Sequence, residues 1–348
     1  MSRWAAVLAG GSGTRFWPLS TPTTPKQFLS LVGDTPLLEQ SVARLEGLVA
    51  PERILVVTGA RFLDATQRLL PVLPAENILG EPRAAGTGPA LTWATAVAHS
   101  RDSDASLVSL HADWFVGNDA QFQTTADAAF TVAAQHDVLV TVGVVPTRPD
   151  PSYGYIQPGD SLENSAARHV VRFTEKPDVK TAASLIDQGA LWNSGLFAWT
   201  AERFFAETDR CAPEIAPHVH HLRSEDPTTF FNSVTPVVID VSHYERSERV
   251  AVVPGDFPWD DVGTWTALSR VRPLDEAENV VVGDVVRRDA DRCIVWAQDG
   301  PMVVDGVSDL VVVRANGIVL VTTKDRAGNL KELLATLPPR LRQPDRPS

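Results

Sequence analysis

Along the first half of the chain, short apolar blocks alternate with amphipathic ones. Trp4–Ala9, Ile54–Thr58, Leu107–His111 and Val138–Val145 are almost wholly apolar, the pattern of strands buried on both faces. Between them, Leu37, Leu38, Val42, Leu45 and Leu48 recur at helical spacing and predict a helix over 37–48, while 61–70 and the alanine-rich 90–99 predict two more. Strands joined by helices imply an α/β fold, with a Rossmann-like mixed, mainly parallel sheet flanked by helices. Ligands of such sheets bind beyond the C-terminal strand ends, so the residues after Ala9 and after Leu110 are expected to open on a site. From Tyr153 to about Leu268 the pattern is mixed, with strands predicted over 170–173, 196–199, 237–241 and 251–253 and a helix over 201–209. After Arg272 short valine-rich segments recur (280–282, 285–286, 293–296, 302–304, 310–313 and 318–321), separated by Gly283-Asp284, Asp299-Gly300 and Asn316-Gly317. These predict a small β module over 273–348, closed by a helix over 329–337 and a frayed end, after a larger domain over 1–272.

Composition narrows the function classes. A formal net charge of -12 opposes binding to nucleic acid or to an acidic membrane surface. No apolar run is long enough to cross a bilayer, and the N-terminal apolar stretch is too short for an export signal. Cys211 and Cys293 form no CxxC pair and fit unpaired thiols in a reducing, cytoplasmic setting. His218, His220 and His221 lack a well-spaced fourth ligand for zinc. Lysine is scarce, with only Lys26, Lys176, Lys180, Lys324 and Lys331, so a lysine inside a motif stands out.

The sharpest motif follows the first strand: Leu8-Ala9-Gly10-Gly11-Ser12-Gly13-Thr14-Arg15. Three glycines leave backbone N–H groups uncovered to form an anion nest, Ser12 and Thr14 add hydroxyl donors, and Arg15 adds a guanidinium fork suited to phosphate. The loop is neither a Walker A motif, since no GK[ST] ends it, nor a dinucleotide fingerprint, since Phe16 stands at the last glycine position. Prolines stiffen the segment that delivers Lys26, a point charge for phosphate. Asp113 stands just past a strand end, where a magnesium ligand belongs, and Asp260-Asp261 place two adjacent acids in an aromatic turn where a cation would relieve their repulsion. Glu81 and the backbone near Pro82 and Gly88 offer acceptors to a base; Thr87 offers a cap to the following helix. Glu175 and Lys176 are adjacent after a strand, where alternate side chains face opposite ways, so a mutual ion pair is not expected. With Asn193 and the close-approach glycines Gly154 and Gly195, they are candidates for a sugar phosphate.

Ala6–Leu29, AVLAGGSGTRFWPLSTPTTPKQFL, resembles the opening signature of the nucleoside-diphosphate-sugar pyrophosphorylases, and more narrowly of the mannose-1-phosphate guanylyltransferases. Glu81-Pro82, Ala112-Asp113, Tyr153-Gly154-Tyr155-Ile156, Glu175-Lys176-Pro177, Asn193-Ser194-Gly195 and Trp259–Gly263 resemble further elements of that family in order. The chain departs from it with Ala85-Gly86 for Arg-Asn, Gly88 for alanine, His111 for proline and Trp114 for histidine. The resemblance implies a nucleotide-diphospho-sugar transferase type of fold, followed by a module resembling a β-helix fragment. It implies Mg²⁺ on Asp113 and Asp261, with Asp260 assisting, and GTP and mannose 1-phosphate as substrates. It also implies triphosphate contacts from residues 8–15 and Lys26, and sugar-phosphate contacts from Gly154, Glu175, Lys176, Asn193 and Gly195. The isomerase domain of longer relatives is not expected in this segment. Open at this stage are the same fold acting on another pair (glucose 1-phosphate with UTP or dTTP, manno-heptose 1-phosphate with GTP), a non-catalytic nucleotide-sugar-binding regulator, and whether the β module pairs a homodimer or shields the sheet.

Overall fold

The computed structural model describes residues 1–11 and 13–342; Ser12 and the last six positions lie outside the described residues. The chain divides into two compact units, one built from 1–10, 41–112 and 118–259, the other from 11–40, 113–117 and 260 onward.

The first unit is a nine-stranded mixed sheet. In chain order its strands are β1 (Ser2–Ala9), β2 (Ile54–Gly59), β3 (Ile78–Glu81), β4 (Ala105–His111), β5 (Leu139–Val144), β6 (Tyr155–Ser161), β7 (Arg168–Thr174), β8 (Leu191–Thr200) and β9 (Val250–Gly255). They lie in the order β3-β2-β1-β4-β8-β5-β9-β7-β6. β1 to β4 are parallel, as are β5 and β9, while β8 runs antiparallel between β4 and β5. Trp4, Ala6 and Leu8 pack on one face against Ala90, Leu91, Ala94 and Ala98 of the helix Thr87–Arg101. Ala5 and Val7 point the other way and are also fully buried, so both faces are covered. The helix Asp119–His136, which sequence periodicity did not single out, packs across β4, β5, β8 and β9. Its buried face mixes Phe122, Phe130 and Val132 with Thr125 and the small Ala126, Ala129 and Ala133, so the periodic hydrophobic signal is weak.

Two sequence expectations fail in this unit. The strand expected over 237–241 is absent: Asp240–Tyr244 forms a π-helical turn that buries Ser242, His243 and Tyr244. An apolar run of that length does not distinguish a strand from a buried helical turn. Strand β3 was not expected, because its apolar run is only two residues long.

The larger hydrophobic cluster of the second unit joins its separate chain segments, and a smaller one lies among Ala290, Cys293, Val295, Val304 and Val312. Phe16, Trp17, Leu19, Leu29 and Leu31 from the segment after the glycine loop pack with Trp265 and Leu268, and with Val280, Ile294, Trp296, Val311 and Val313. The latter belong to β10 (Val280–Asp291), β11 (Ile294–Ser308) and β12 (Leu310–Ala315), and Leu320 of β13 (Ile318–Thr323) joins the same cluster. β10, β11 and β12 are parallel, with Val280 opposite Ile294 and Ile294 opposite Val311, so like residues stack in rows as the chain coils. Two pairs read as turns, Gly283-Asp284 and Asp299-Gly300, are bends inside continuous strands. Gly283 sits at a register shift with φ 90, and a Cβ there would lie 1.9 Å from the Ala297 carbonyl oxygen, so only glycine fits. Asn316-Gly317 is a true hairpin turn with both φ positive, joining β12 to the antiparallel β13. The closing helix spans Leu330–Thr336. Among the described residues no helix is long and apolar enough to cross a membrane.

The fully buried Trp265 links the two halves of this core, touching Phe16 and Trp296 and donating its indole N–H to the Trp17 carbonyl at 3.2 Å. Trp265→Ala is expected to cost about 3–5 kcal/mol, read as a lower denaturation midpoint; a loss below about 1 kcal/mol would show that the cluster is not cooperative.

Candidate active site

In the second unit the candidate phosphate and metal residues converge on one ammonium group. Lys26 is 7% exposed and opens a 3-10 turn, Lys26–Phe28. Its Nζ donates to Asp113 Oδ2 at 3.0 Å and to the Asp261 carbonyl oxygen at 2.5 Å. A buried cation needs such partners, because its desolvation costs several kcal/mol otherwise. Gly13 crosses directly against this lysine: with φ 56, a Cβ there would stand 2.4 Å from the Lys26 backbone nitrogen. The glycine loop is therefore required for close packing as well as for exposed amides.

Arg15, on the turn Thr14–Phe16, is exposed and donates to the Gly263 carbonyl at 3.4 Å. The same Gly263 lies directly beside both groups: a Cβ there would meet Asp261 Oδ2 at 2.8 Å and the Arg15 guanidinium at 3.1 Å, so a side chain would push them aside. Asp261 Oδ1 accepts from the Gly263 N–H at 3.0 Å. Val262, a β-branched residue, is held at φ 46 between these groups. Arg15, Lys26, Asp113 and Asp261 thus form one local group. Two carboxylates supply the hard oxygens that a small divalent cation prefers, and such ions commonly take one or two carboxylates plus phosphate oxygens. Among the described residues no set of three or more His, Cys, Asp or Glu side chains is arranged to hold a metal alone. Asp260 is directed elsewhere: Arg270 grips both its oxygens at 2.7 and 3.0 Å, and it accepts the Val262 N–H, so its environment is that of a structural ion pair.

In the first unit the candidate sugar residues also gather. Asn193 on β8 donates from Nδ2 to Asp240 Oδ1 at 2.6 Å, and its Oδ1 accepts from Thr141 and from the Gly195 N–H. A Cβ on Gly154 would lie 2.7 Å from Glu175 Oε2 and 3.5 Å from the Asn193 Cβ, so these three residues border one spot. Leu8 and Ala9 are buried in β1, and Gly10 follows them with Glu81 Oε2 3.9 Å from the position of its missing Cβ.

Residues 4–278 match the family of nucleotidyl transferases, and residues 283–337 match the MannoseP isomerase/GMP-like beta-helix domain. The chain is 33% identical over 350 residues to mannose-1-phosphate guanylyltransferase of Escherichia coli strain K12, which spans 95% of this chain and 72% of that protein. It is 36% identical over 343 residues to xanthan biosynthesis protein XanB of Xanthomonas campestris pv. campestris strain B100, with the same two coverages of 95% and 72%. A crystal structure named mannose-1-phosphate geranyltransferase, from Thermus thermophilus, superimposes with a TM-score of 0.87 at 34% identity, covering 96% of this chain and 99% of that one. The chain belongs to the nucleotidyl transferase family.

Several residues of this nucleotidyl transferase occupy places that the sequence did not foretell. Glu175 and Lys176 do form an ion pair, against expectation. Strand β7 ends at Thr174, and Lys176 adopts φ 44, so strand alternation no longer applies to the pair. Thr87 does not cap its helix; its hydroxyl accepts the Ile239 N–H at 2.8 Å. Gly88 is buried against the protein's own chain, donating to the Val237 carbonyl at 3.1 Å, so its role is packing and not base contact. Pro82 is exposed beside Glu81. Asp240 was missed because the apolar residues around it read as a strand; the signal present was a lone carboxylate inside Val237–Val241.

Burial pushes the Glu81 carboxyl up to about 7 from its ordinary 4.5. The protonated form is thus favoured in the folded protein. Its stabilising contribution is full below pH 4.5 and is lost as pH rises through about 7. Replacing Glu81 by Gln is expected to remove this part of the pH dependence, so that the native chain loses about 1–3 kcal/mol more than the variant across that window. Parallel curves for the two proteins in denaturant titrations at pH 5 and pH 8 would contradict the shift.

Proposed function

We propose that the chain transfers a guanylyl group from GTP to α-D-mannose 1-phosphate, giving GDP-mannose and pyrophosphate. The observation that carries this reading is the group formed by Lys26, Asp113 and Asp261 beside Arg15, in a chain of the nucleotidyl transferase family. The relatives named mannose-1-phosphate guanylyltransferase supply the substrate pair.

The attacking group is a phosphate oxygen of the sugar 1-phosphate, already anionic near pH 7, so no side chain has to remove a proton. It attacks the α-phosphorus in line, and the bond to pyrophosphate breaks. The protein's part is positioning and stabilisation of developing charge. Arg15, with five N–H donors, and the amides around Gly10, Gly11 and Gly13 bind the triphosphate, with Ser12, which lies outside the described residues, and Thr14 adding hydroxyls. An ammonium carries three donors, so Lys26 can share a phosphate oxygen while still held by Asp113 and the Asp261 carbonyl. Family members generally use a divalent cation; we assign it as Mg²⁺, held by Asp113 and Asp261. When bound it would draw charge from the phosphate oxygens and align them. Glu81 accepts from the guanine N1–H and N2–H, and these two donors favour its ionised form over the protonated one that burial alone favours. Glu175, Asn193 and the backbone at Gly154 and Gly195 take the sugar hydroxyls, and Lys176 its phosphate.

We place the enzyme in the cytoplasm, consistent with two free, buried cysteines. We divide it into a catalytic domain, 1–272, and a β module, 273–348. We also assign the module a homodimer contact: Val286 and Val303, neighbours on β10 and β11, are exposed there.

Lys26→Ala is expected to lower the rate of pyrophosphate release from GTP and mannose 1-phosphate by about a hundredfold or more with the far-ultraviolet dichroism retained. Near-normal turnover would remove Lys26 from the mechanism. Asp113→Ala should lose most of its rate and its saturable response to added Mg²⁺; an unchanged metal titration would take Asp113 out of the ion's coordination.

A further inference from the structure

We infer that Asp240 is a positioning residue that fixes the orientation of the Asn193 amide, and thereby sets which sugar stereochemistry the site accepts. The inference deepens the proposed function and rests on its reading of Asn193 and Glu175 as sugar contacts.

A side-chain amide has two orientations that differ only by exchange of its oxygen and nitrogen, and its neighbours decide between them. At Asn193 the oxygen end meets two donors, the Thr141 hydroxyl at 3.1 Å and the Gly195 N–H at 3.2 Å. The nitrogen end meets one acceptor, Asp240 Oδ1, at 2.6 Å. A flipped amide would set N–H against the Gly195 N–H and a carbonyl against the carboxylate. Both contacts are unfavourable, so the amide is locked from two sides. A carboxamide carries a second N–H, and the lock determines where that donor points. Glu175 and Asn193 border the spot that a Cβ on Gly154 would fill. A fixed donor and an acceptor beside one small space can distinguish hydroxyls that differ only in configuration, because the wrong epimer leaves a buried polar group unpaired.

Asp240 is itself anchored. It opens the π-helical turn Asp240–Tyr244. The residue before it, Ile239, donates its N–H to Thr87, and at the end of the turn Tyr244 donates its hydroxyl to the Val140 carbonyl at 3.2 Å. Burial holds the Asp240 carboxyl above its usual range, and His111 and Glu175 act on it with opposite sign. An acid kept in such surroundings, when any apolar residue would fit the surrounding Val237–Val241 run, has a polar task.

The test is steady-state kinetics with GTP and the C2 epimers mannose 1-phosphate and glucose 1-phosphate. Asp240→Ala is expected to raise KM for mannose 1-phosphate by about tenfold or more, and to reduce the preference for mannose over glucose by a similar factor. KM for GTP should stay unchanged. Asp240→Asn keeps an oxygen acceptor and should recover most of the preference. Thr141→Val loosens the lock from its other side, and should show the same loss of preference even if Asp240→Ala fails to fold. An unaltered mannose-to-glucose ratio in folded Thr141→Val, and in Asp240→Ala where it folds, or equal rises in KM for both substrates, overturns the inference while leaving the proposed function standing. A native enzyme that releases no pyrophosphate with GTP and mannose 1-phosphate overturns both.

Discussion

A buried ammonium has to be satisfied, and most of the second unit follows from how this chain satisfies Lys26. The amine needs oxygen partners, which fixes Asp113 and the main chain at Asp261 around it. The backbone of the lysine needs clearance, which requires glycine at position 13. The lysine also has to be held still, which falls to its neighbours in sequence: Phe16, Trp17, Leu19, Leu29 and Leu31 enter the same apolar cluster as Trp265 and the inner rows of the β module. Three further bonds pin that segment: Asn316 to the Pro18 carbonyl at 2.8 Å, Arg272 to the Leu31 carbonyl at 2.6 Å, and Trp17 to the Leu341 carbonyl at 3.1 Å. The β module is thus part of the frame of the segment that carries Lys26. Groups preorganised in this way need not be rearranged when charge develops on a leaving phosphate.

The first unit applies the same logic to a neutral amide, that of Asn193. Its binding candidates sit at or just beyond strand ends: Gly10 after β1, Glu81 ending β3 and Glu175 after β7. Asn193 lies inside β8, the strand inserted antiparallel into the sheet. The Asn193 amide is held by groups on neighbouring elements, Thr141 on β5 and Asp240, so hydrogen bonds set its orientation. This suits a molecule with net charge -12, where local placement of a few cations and donors has to outweigh an unfavourable overall field.

Much of this was legible in the sequence because the signals were local. The apolar blocks gave β1, β2, β4 and β5, and the ordered motif from Ala6 to Leu29 gave the phosphate loop and Lys26 together. Asp113 and Asp261 were legible as carboxylates in unusual places. What the sequence did not disclose depends on partners distant along the chain. Arg270 claims Asp260, Ile239 claims the Thr87 hydroxyl, and Val237 closes over Gly86 and Gly88. Asp240 was hidden by its apolar neighbours, and the Glu175–Lys176 pair by the assumption that β7 continued. The long helix Asp119–His136 escaped because three of its buried positions are alanines, which bury well but carry little periodic contrast.

The central claim is that Lys26 and Asp113 act as a single unit. The most direct test is a double-mutant cycle, with Lys26→Met and Asp113→Asn made singly and together and pyrophosphate release from GTP and mannose 1-phosphate as the readout. Coupled groups predict a double variant about as slow as the slower single one. Losses that simply multiply would contradict the account, because they would mean that the two side chains act independently.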